Sequence, residues 1–540
     1  MLATAPDSVA PTLPIVVQIG FAGSRFLFAP QRLAPDEERA LQAELRDALV
    51  GRLAELPGHL GLAPQHVMCG VSQLAIGADA VFTEACGALG LPQRVLLPQP
   101  LAAFLAAGDA GDPDFTPAEQ DAARALLAGA HIAELRVASD AEDRIAQFED
   151  TNLALLDESD AVVCLLRAGA LGRPGGTRDL IERAAQAGKP VLLLEVSMDG
   201  GRPRLSPWSM PEAARLRTQF RAPGMPAEVA GLAWPPAAGG ALPDAKAYID
   251  AVRRFASART QRVSGGFRRA AITIIALHVA ATLLATLAGK AAAAGWIAAL
   301  LAIELACLGV GLGIHQRLHR SASVRAWATT RLLAEVLRSM RSVAATAVAI
   351  DYPRRLALPA HFAPLLRTAD ILHGLQARRA DPGDWAAQRA RYVDERLTGA
   401  QGQLGWFERA AAAASQRWVL AQRLFWIFSA TAFAATAAKL AAVLGWLPAA
   451  LQPTVSSWGG LLAIVLPVVA VGCLSWAAAA DLEARAKTYA DMHAFLGRQV
   501  DALRGAASAR DFARAVRETE LGLLAETLGW FARRMWKGVA

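Results

Sequence analysis

The chain has 540 residues, room for two or three domains and a large core. Its hydrophobic content of 54% exceeds that of an ordinary globular protein, and its five scattered cysteines (Cys69, Cys86, Cys164, Cys307, Cys473), with no CxxC and no His/Cys cluster, argue against a disulfide scaffold or a zinc module. The net charge of +7 would suit nucleic acid, but much of the basic excess flanks uncharged apolar runs, where positive charge sets membrane topology, so nucleic acid is not the expected partner.

Residues 1–14 have neither a basic start nor an apolar run, so the front of the chain is expected to stay in the cytosol. From residue 14 to 200, short apolar runs alternate with amphipathic stretches, the pattern of a parallel sheet covered by helices. The spacing predicts strands at Ile15–Ile19, Val67–Val71, Arg94–Leu97, Ile132–Val137, Ala161–Leu166 and Val191–Glu195. Helices are predicted between them, most clearly at Pro35–Leu56, Asp79–Gly90 and Arg178–Ala187.

Candidate chemistry gathers where strands end. After the first strand come Gly20, Gly23, Ser24 and Arg25, glycines that let the backbone approach a ligand and a guanidinium that suits phosphate. After the second, Ser72 precedes Ile76-Gly77-Ala78-Asp79, with Asp79 placed to cap a helix. After the fifth, Arg173-Pro174-Gly175-Gly176-Thr177-Arg178 delivers a glycine-rich turn to a helix N-terminus, which favours anions. Each loop alone reads equally well as a tight turn. Three at one sheet edge predict a nucleotide-sized site.

Four segments carry a family resemblance: the GFAGSR loop, GVSQLAIGADAVFTEACGALGL, FEDTNLALLDESDAVVCLL and GGTRDLIERAAQAGKPVLLLEV. Together they resemble the SLOG superfamily of Rossmann-like nucleotide-binding domains, related to the LOG phosphoribohydrolases and DprA-like proteins. The resemblance spans residues 14–200 and implies a nucleotide or nucleotide-derived ligand. LOG enzymes carry a PGGxGTxxE loop whose glutamate takes part in N-glycosidic cleavage. Here the second xG step is missing and Glu182 lies five residues past Thr177 instead of three, so a binding domain is expected rather than a hydrolase. Asp179 is a substitute carboxylate only by conjecture. A membrane-tethered nucleotide-processing enzyme stays open as the alternative.

Residues 200–243 are loaded with Pro, Gly and Ala and read as an irregular extension, which closes a first domain at 1–243. A basic helix from Asp244 leads toward the first of four uncharged stretches, near 270–289, 291–314, 424–446 and 458–480, each long enough to cross a bilayer. They predict two hairpins. The first lies in a segment 244–350, a cytosolic helical connector follows at 351–405, and the second hairpin with C-terminal cytosolic helices fills 406–540. The other reading is of buried helices in a very hydrophobic soluble protein. Arg253, Arg254, Arg259, Arg262, Arg268 and Arg269 precede the first run, Arg317, Arg320, Arg325 and Arg331 follow the second, and Lys290 stands alone between. Arg409, Arg417 and Arg423 precede the third, and Arg485 and Lys487 follow the fourth. Both termini are therefore expected in the cytoplasm, with the chain in the inner membrane.

His278 and Glu304 lie thirteen residues either side of position 291, so a regular hairpin would bring them to one depth near the bilayer centre. A buried carboxylate there needs a partner or water. The pair reads as a hydrogen bond closing the hairpin, as a pore-lining or proton-sensitive pair, or as a contact with another subunit. Gly309-x-x-x-Gly313 offers a close-packing surface suited to an oligomer or to one four-helix bundle, and Pro467 interrupts the fourth run. Each hairpin is followed by an amphipathic helix, Ser321–Val343 and Asp481–Leu503, and Glu518–Trp536 ends the chain. The tail suits either a membrane surface or packing against other helices. With Tyr392–Phe407, these segments resemble SLATT membrane proteins, predicted pore-forming effectors that accompany nucleotide sensors in prokaryotic conflict systems. The combination implies an α/β Rossmann-like cytosolic sensor gating an oligomeric all-α membrane region, in antiviral or stress defence.

Overall fold

The computed structural model describes residues 13–109, 112–169, 176–211, 220–227, 229, 232, 234, 244–290, 293–320, 323–344, 346–350, 352, 358–379 and 382–536. They form two compact units, Met1–Asp250 with Ala347–Pro382, and Ala251–Thr346 with Gly383–Ala540.

The first unit is built on a seven-stranded sheet: β1 (Ile15–Gly23), β2 (His66–Ser72), β3 (Gln93–Leu97), β4 (Ile132–Val137), β5 (Ala161–Arg167), β6 (Val191–Asp199) and β7 (Arg202–Leu205). The order is β4-β3-β2-β1-β5-β6-β7, parallel throughout except for the β6–β7 edge. All six predicted strands are present, and β7 is an addition. β1 and β5 are buried over most of their length, as strands covered on both faces must be.

The helices of this unit are α1 (Pro35–His59), α2 (Ala78–Leu89), α3 (Leu101–Leu105), α4 (Pro117–Leu127), α5 (Arg144–Glu158) and α6 (Thr177–Gln186). Their ends follow local chemistry. Thr116 and Glu119 form a reciprocal capping box at α4, Asp143 accepts the Ala146 N–H at 2.8 Å to start α5, and Gly90 at φ 64° closes α2. Phe21 of β1 stacks on Phe82 of α2 with ring centroids 4.0 Å apart.

Further along the chain come α7 (Ala245–Ala288), α8 (Ala294–Arg320) and α9 (Ser323–Val343), and then α10 (Ala363–Arg379), which belongs to the first unit. The connector read at 351–405 therefore divides, its first part lying on the sheet. The reason is a hydrogen-bond deficit. β1 starts at Ile15 but pairs with β5 only from Ile19, which leaves N–H groups open on that side. Thr368 Oγ1 of α10 accepts the Val16 N–H at 3.0 Å, and Asp160, paired with Arg367 of α10 at 2.5 Å, accepts the Gln18 N–H at 2.8 Å. Ile371 packs with Val16, Cys69 and Ala133, and Gly374 lies so close to the Ala133 carbonyl that a Cβ there would overlap it.

The second unit is helical. Besides α8, α9 and the greater part of α7, it contains α11 (Trp385–Tyr392), a π-helical turn at Val393–Thr398, α12 (Gln403–Val443), α13 (Gln452–Ala479), α14 (Leu482–Arg504) and α15 (Ala509–Trp536). α12 packs along α13 and α14, and α9 along α15. α7 runs unbroken through Gly265-Gly266, and α13 continues through Pro467. Four helices are long and apolar enough to cross a membrane, and their apolar windows are only 6, 6, 6 and 17% buried within the chain. Side chains such as Leu305, Trp426 and Phe433 point outward. Apolar surface on this scale requires lipid or protein against it.

A buried ionic cluster fixes the polar end of this unit. Arg396, on the π-helical turn, holds Glu520 of α15 through two parallel hydrogen bonds of 2.8 and 2.7 Å. Tyr392 and Ser339 donate to the same carboxylate at 2.7 and 2.6 Å, and Glu520 is fully buried. Every lone-pair direction of a carboxylate can be used here, the condition under which a buried charge is tolerated.

Candidate ligand-binding site

Strand order reverses at β1. From β1 the chain builds outward through β2, β3 and β4, then returns to β5 on its other side and continues to β6. In an open α/β sheet, ligands bind in the crevice beyond the carboxyl ends of the strands at such a point.

Three of the predicted loops meet there. The Ser24 N–H donates to the Leu165 carbonyl of β5 at 2.9 Å, and the Arg167 N–H donates to Ser24 Oγ at 3.0 Å. The Ala78 N–H donates to the Ser24 carbonyl at 3.1 Å, and Thr177 Oγ1, in the first turn of α6, donates to the Gly23 carbonyl at 3.1 Å. The glycines make this approach possible. A Cβ on Gly23 would overlap Ala78 and the Leu165 carbonyl, and Gly77, at φ 82°, has the Arg25 and Ser24 carbonyls where a Cβ would stand. Gly77 and Gly176 are the N-caps of α2 and α6, and neither helix has a side-chain cap. Two helix N-termini thus reach one edge beside the Ser24 and Thr177 hydroxyls, an arrangement that favours an anion.

Asp79 departs from its expected role. It lies one residue inside α2, and its Oδ2 accepts the Ala75 N–H at 3.1 Å, which closes the preceding loop instead of capping the helix. Its Oδ1 has no hydrogen-bond partner among the described residues, and burial pushes the carboxyl up to about 7. Ser72 is fully buried and serves a polar web: Gln93 Nε2 donates to Ser72 Oγ at 2.8 Å and to Thr83 Oγ1 at 2.9 Å, and Thr83 donates to the Asp79 carbonyl at 2.8 Å. Ser72 therefore supports the edge from beneath.

Arg25 is committed elsewhere. Its guanidinium donates to Asp114 Oδ1 at 2.8 Å and to the Asp114 carbonyl at 2.5 Å, and Arg144 pairs with the same carboxylate. Gly20 is inside β1 and not in a loop, since β1 continues to Gly23; it gives room to Ser159 and Leu155. Arg178 is exposed in the first turn of α6, and Gly175 lies outside the described residues. Glu182 is exposed and makes no hydrogen bond or ion pair among the described residues. Sequence reasoning missed Asp114, Gln93 and Thr83. Gln93, a fully buried amide on a central strand, carried a signal, because such a group must be satisfied.

In the helical unit the expected His278–Glu304 pair is not formed. His278 Nδ1 bonds the Ile274 carbonyl at 2.8 Å, and the ring faces Gly311, seven residues past Glu304 and roughly 10 Å along the helix. Equal counts from a turn give equal depth only when two helices run side by side. α7 also meets α13, where Gly472 faces Ile275 and Val279, and just past its end Lys290 Nζ donates to Ser457 Oγ at 2.8 Å. Among the described residues, nothing lies within 4 Å of where a Cβ on Gly309 or Gly313 would stand.

No protein-family model, curated protein or solved structure matches this chain.

Proposed function

We propose that the chain is a multi-pass membrane protein in which a nucleotide-type ligand, bound at the β1–β5 switch point, biases the state of an oligomeric helical region. The observation that carries this reading is the meeting of Gly23–Ser24, Gly77–Ala78 and Gly176–Thr177 at the carboxyl ends of neighbouring strands. The outward glycines of α8 and the uncovered apolar helices support lipid and further copies of the chain as the partners of the second unit. The chain passes from the α/β unit into the first apolar stretch within α7, which gives ligand binding a covalent route to the helices. The ligand can act this way only by binding one state more tightly than the other. On this reading the front is SLOG-like, the rear SLATT-like, both termini are cytoplasmic at the inner membrane, and the setting is prokaryotic defence. Glu182, exposed and without a partner among the described residues, favours sensing over cleavage.

The test uses the full chain in detergent, because α10 completes the α/β unit. Small molecules released on denaturation are identified by mass spectrometry, and a nucleotide panel is titrated by calorimetry. Ser24→Ala with Thr177→Ala is expected to weaken binding at least tenfold, about 1.4 kcal/mol, and to change channel activity in liposomes in step. Full affinity in the double variant overturns the site. Turnover of the bound nucleotide overturns the sensor in favour of an enzyme.

A further inference from the structure

A second site is written into the helical unit. Four arginines line a cavity of ≈ 210 Å³: Arg268 of α7, Arg331 of α9, Arg485 of α14 and Arg533 of α15. The carboxylates lining it are Asp481 and Glu526, so positive charge is in excess. Arg331 stands 4.0 Å from Glu526 and lies over the Trp530 ring, its guanidinium carbon 4.1 Å from the centroid. Arg485 donates to the Tyr489 hydroxyl at 3.2 Å and pairs with no carboxylate among the described residues. Arg268 has no hydrogen-bond or ion-pair partner among the described residues, and it feels Arg485, Arg331 and Arg417 as like charges.

The walls are aromatic. Trp327, Trp530 and Tyr489 frame the arginines, and Phe267 stacks toward Trp327 with centroids 5.7 Å apart. A larger hollow of ≈ 610 Å³ shares Arg268, Arg331, Arg485 and Glu526 with it and adds Arg253, Arg338, Arg341 and Arg396 together with the carboxylates Glu335, which pairs with Arg338, and Glu395. The cavity also lies at a boundary in the sequence. Arg268 is two residues before the first uncharged run, and Arg485 is five beyond Ala480, where the last one ends.

Guanidinia gathered without matching carboxylates repel one another, and that repulsion is relieved when an anion enters between them. Their planar forks match phosphate oxygens, and basic pockets between helices at the edge of an apolar layer suit phosphate head groups. We propose that this cavity binds a phosphate-bearing anion, gripped by Arg268, Arg331 and Arg485 between the aromatic walls. The chemistry is shared by an anionic lipid head group and a soluble phosphate ester. It is independent of the α/β site.

The experiment takes the full chain, delipidated in dodecyl maltoside, and measures melting temperature and native mass with three probes: dioctanoyl phosphatidic acid, dioctanoyl phosphatidylcholine and inorganic pyrophosphate. Wild type is expected to gain several degrees and a bound adduct with phosphatidic acid but not with phosphatidylcholine. A shift with pyrophosphate alone assigns the site to a soluble phosphate. Arg268→Gln and Arg485→Gln each remove one of several like charges, so the unliganded variants should melt no lower than wild type while losing roughly tenfold in affinity. Arg485→Lys, which keeps the charge, should retain most of the shift. The proposal is overturned if no probe shifts wild type, or if both glutamine variants keep the full shift.

Discussion

Asp79 shows how a single residue can carry a cost for the sake of its position. Its carboxyl is buried with one oxygen unpartnered, and its pKa stands near 7 against an ordinary value of 3.8. A carboxyl raised in the folded state holds its proton more tightly there than in the unfolded chain. The contribution of this one group to stability is therefore greatest below pH 4 and declines as pH rises to about 7, by on the order of 4 kcal/mol in total. Asp79→Asn should match wild type at pH 4 and melt higher at pH 8; a difference that stays constant between those pH values would show that the carboxyl does not titrate across that range. Around this residue, legibility was uneven. Gly77 could be read because a glycine just before a helix announces a tight turn, and Ser24 because it follows a glycine at the end of a strand. Asp114 could not, since its tie to Arg25 spans 89 residues and nothing local marks it.

Among the elements, those whose cause is local were legible and those with a distant cause were not. The six strands follow from apolar runs bounded by turn residues, and α1, α2 and α6 from the amphipathic stretches between them. The place of α10 on the sheet depends on the offset between β1 and β5, which no periodicity reveals. The π-helical turn at Val393–Thr398 is similar: the extra residue it accommodates brings Arg396 to Glu520. Glu520→Ala leaves Arg396 buried without its counter-charge and should cost about 3–5 kcal/mol, measured by denaturant unfolding. Glu520→Gln, which keeps the shape, should cost less. Equal losses in the two variants would mean that packing, and not charge, holds the cluster.

Across the whole molecule, the decisive fact is that one compact unit is made from residues on both sides of α7 and α8. If those helices cross a membrane, they must cross an even number of times, because residues 13–250 and 358–379 end on one face. Positive flanking charge had pointed the same way from the sequence. Impermeant thiol reagents should therefore label Ala293→Cys and Ala449→Cys from the outside and Arg379→Cys only after the membrane is opened. Outside labelling of Arg379→Cys would refute the even crossing.

The same interleaving sets a timetable for biogenesis. The N–H of Val16 waits for Thr368, a residue made 352 positions later. At about 5–20 residues per second, the 118 residues from Asp250 to Thr368 take on the order of 6–24 s to appear. Throughout that interval one flank of the nascent sheet is unsealed while two greasy segments leave the ribosome. If those segments enter a membrane, their delivery to the insertion machinery precedes closure of the α/β unit, and a chain that stalls before residue 368 exposes an open strand for chaperones or proteases to recognise.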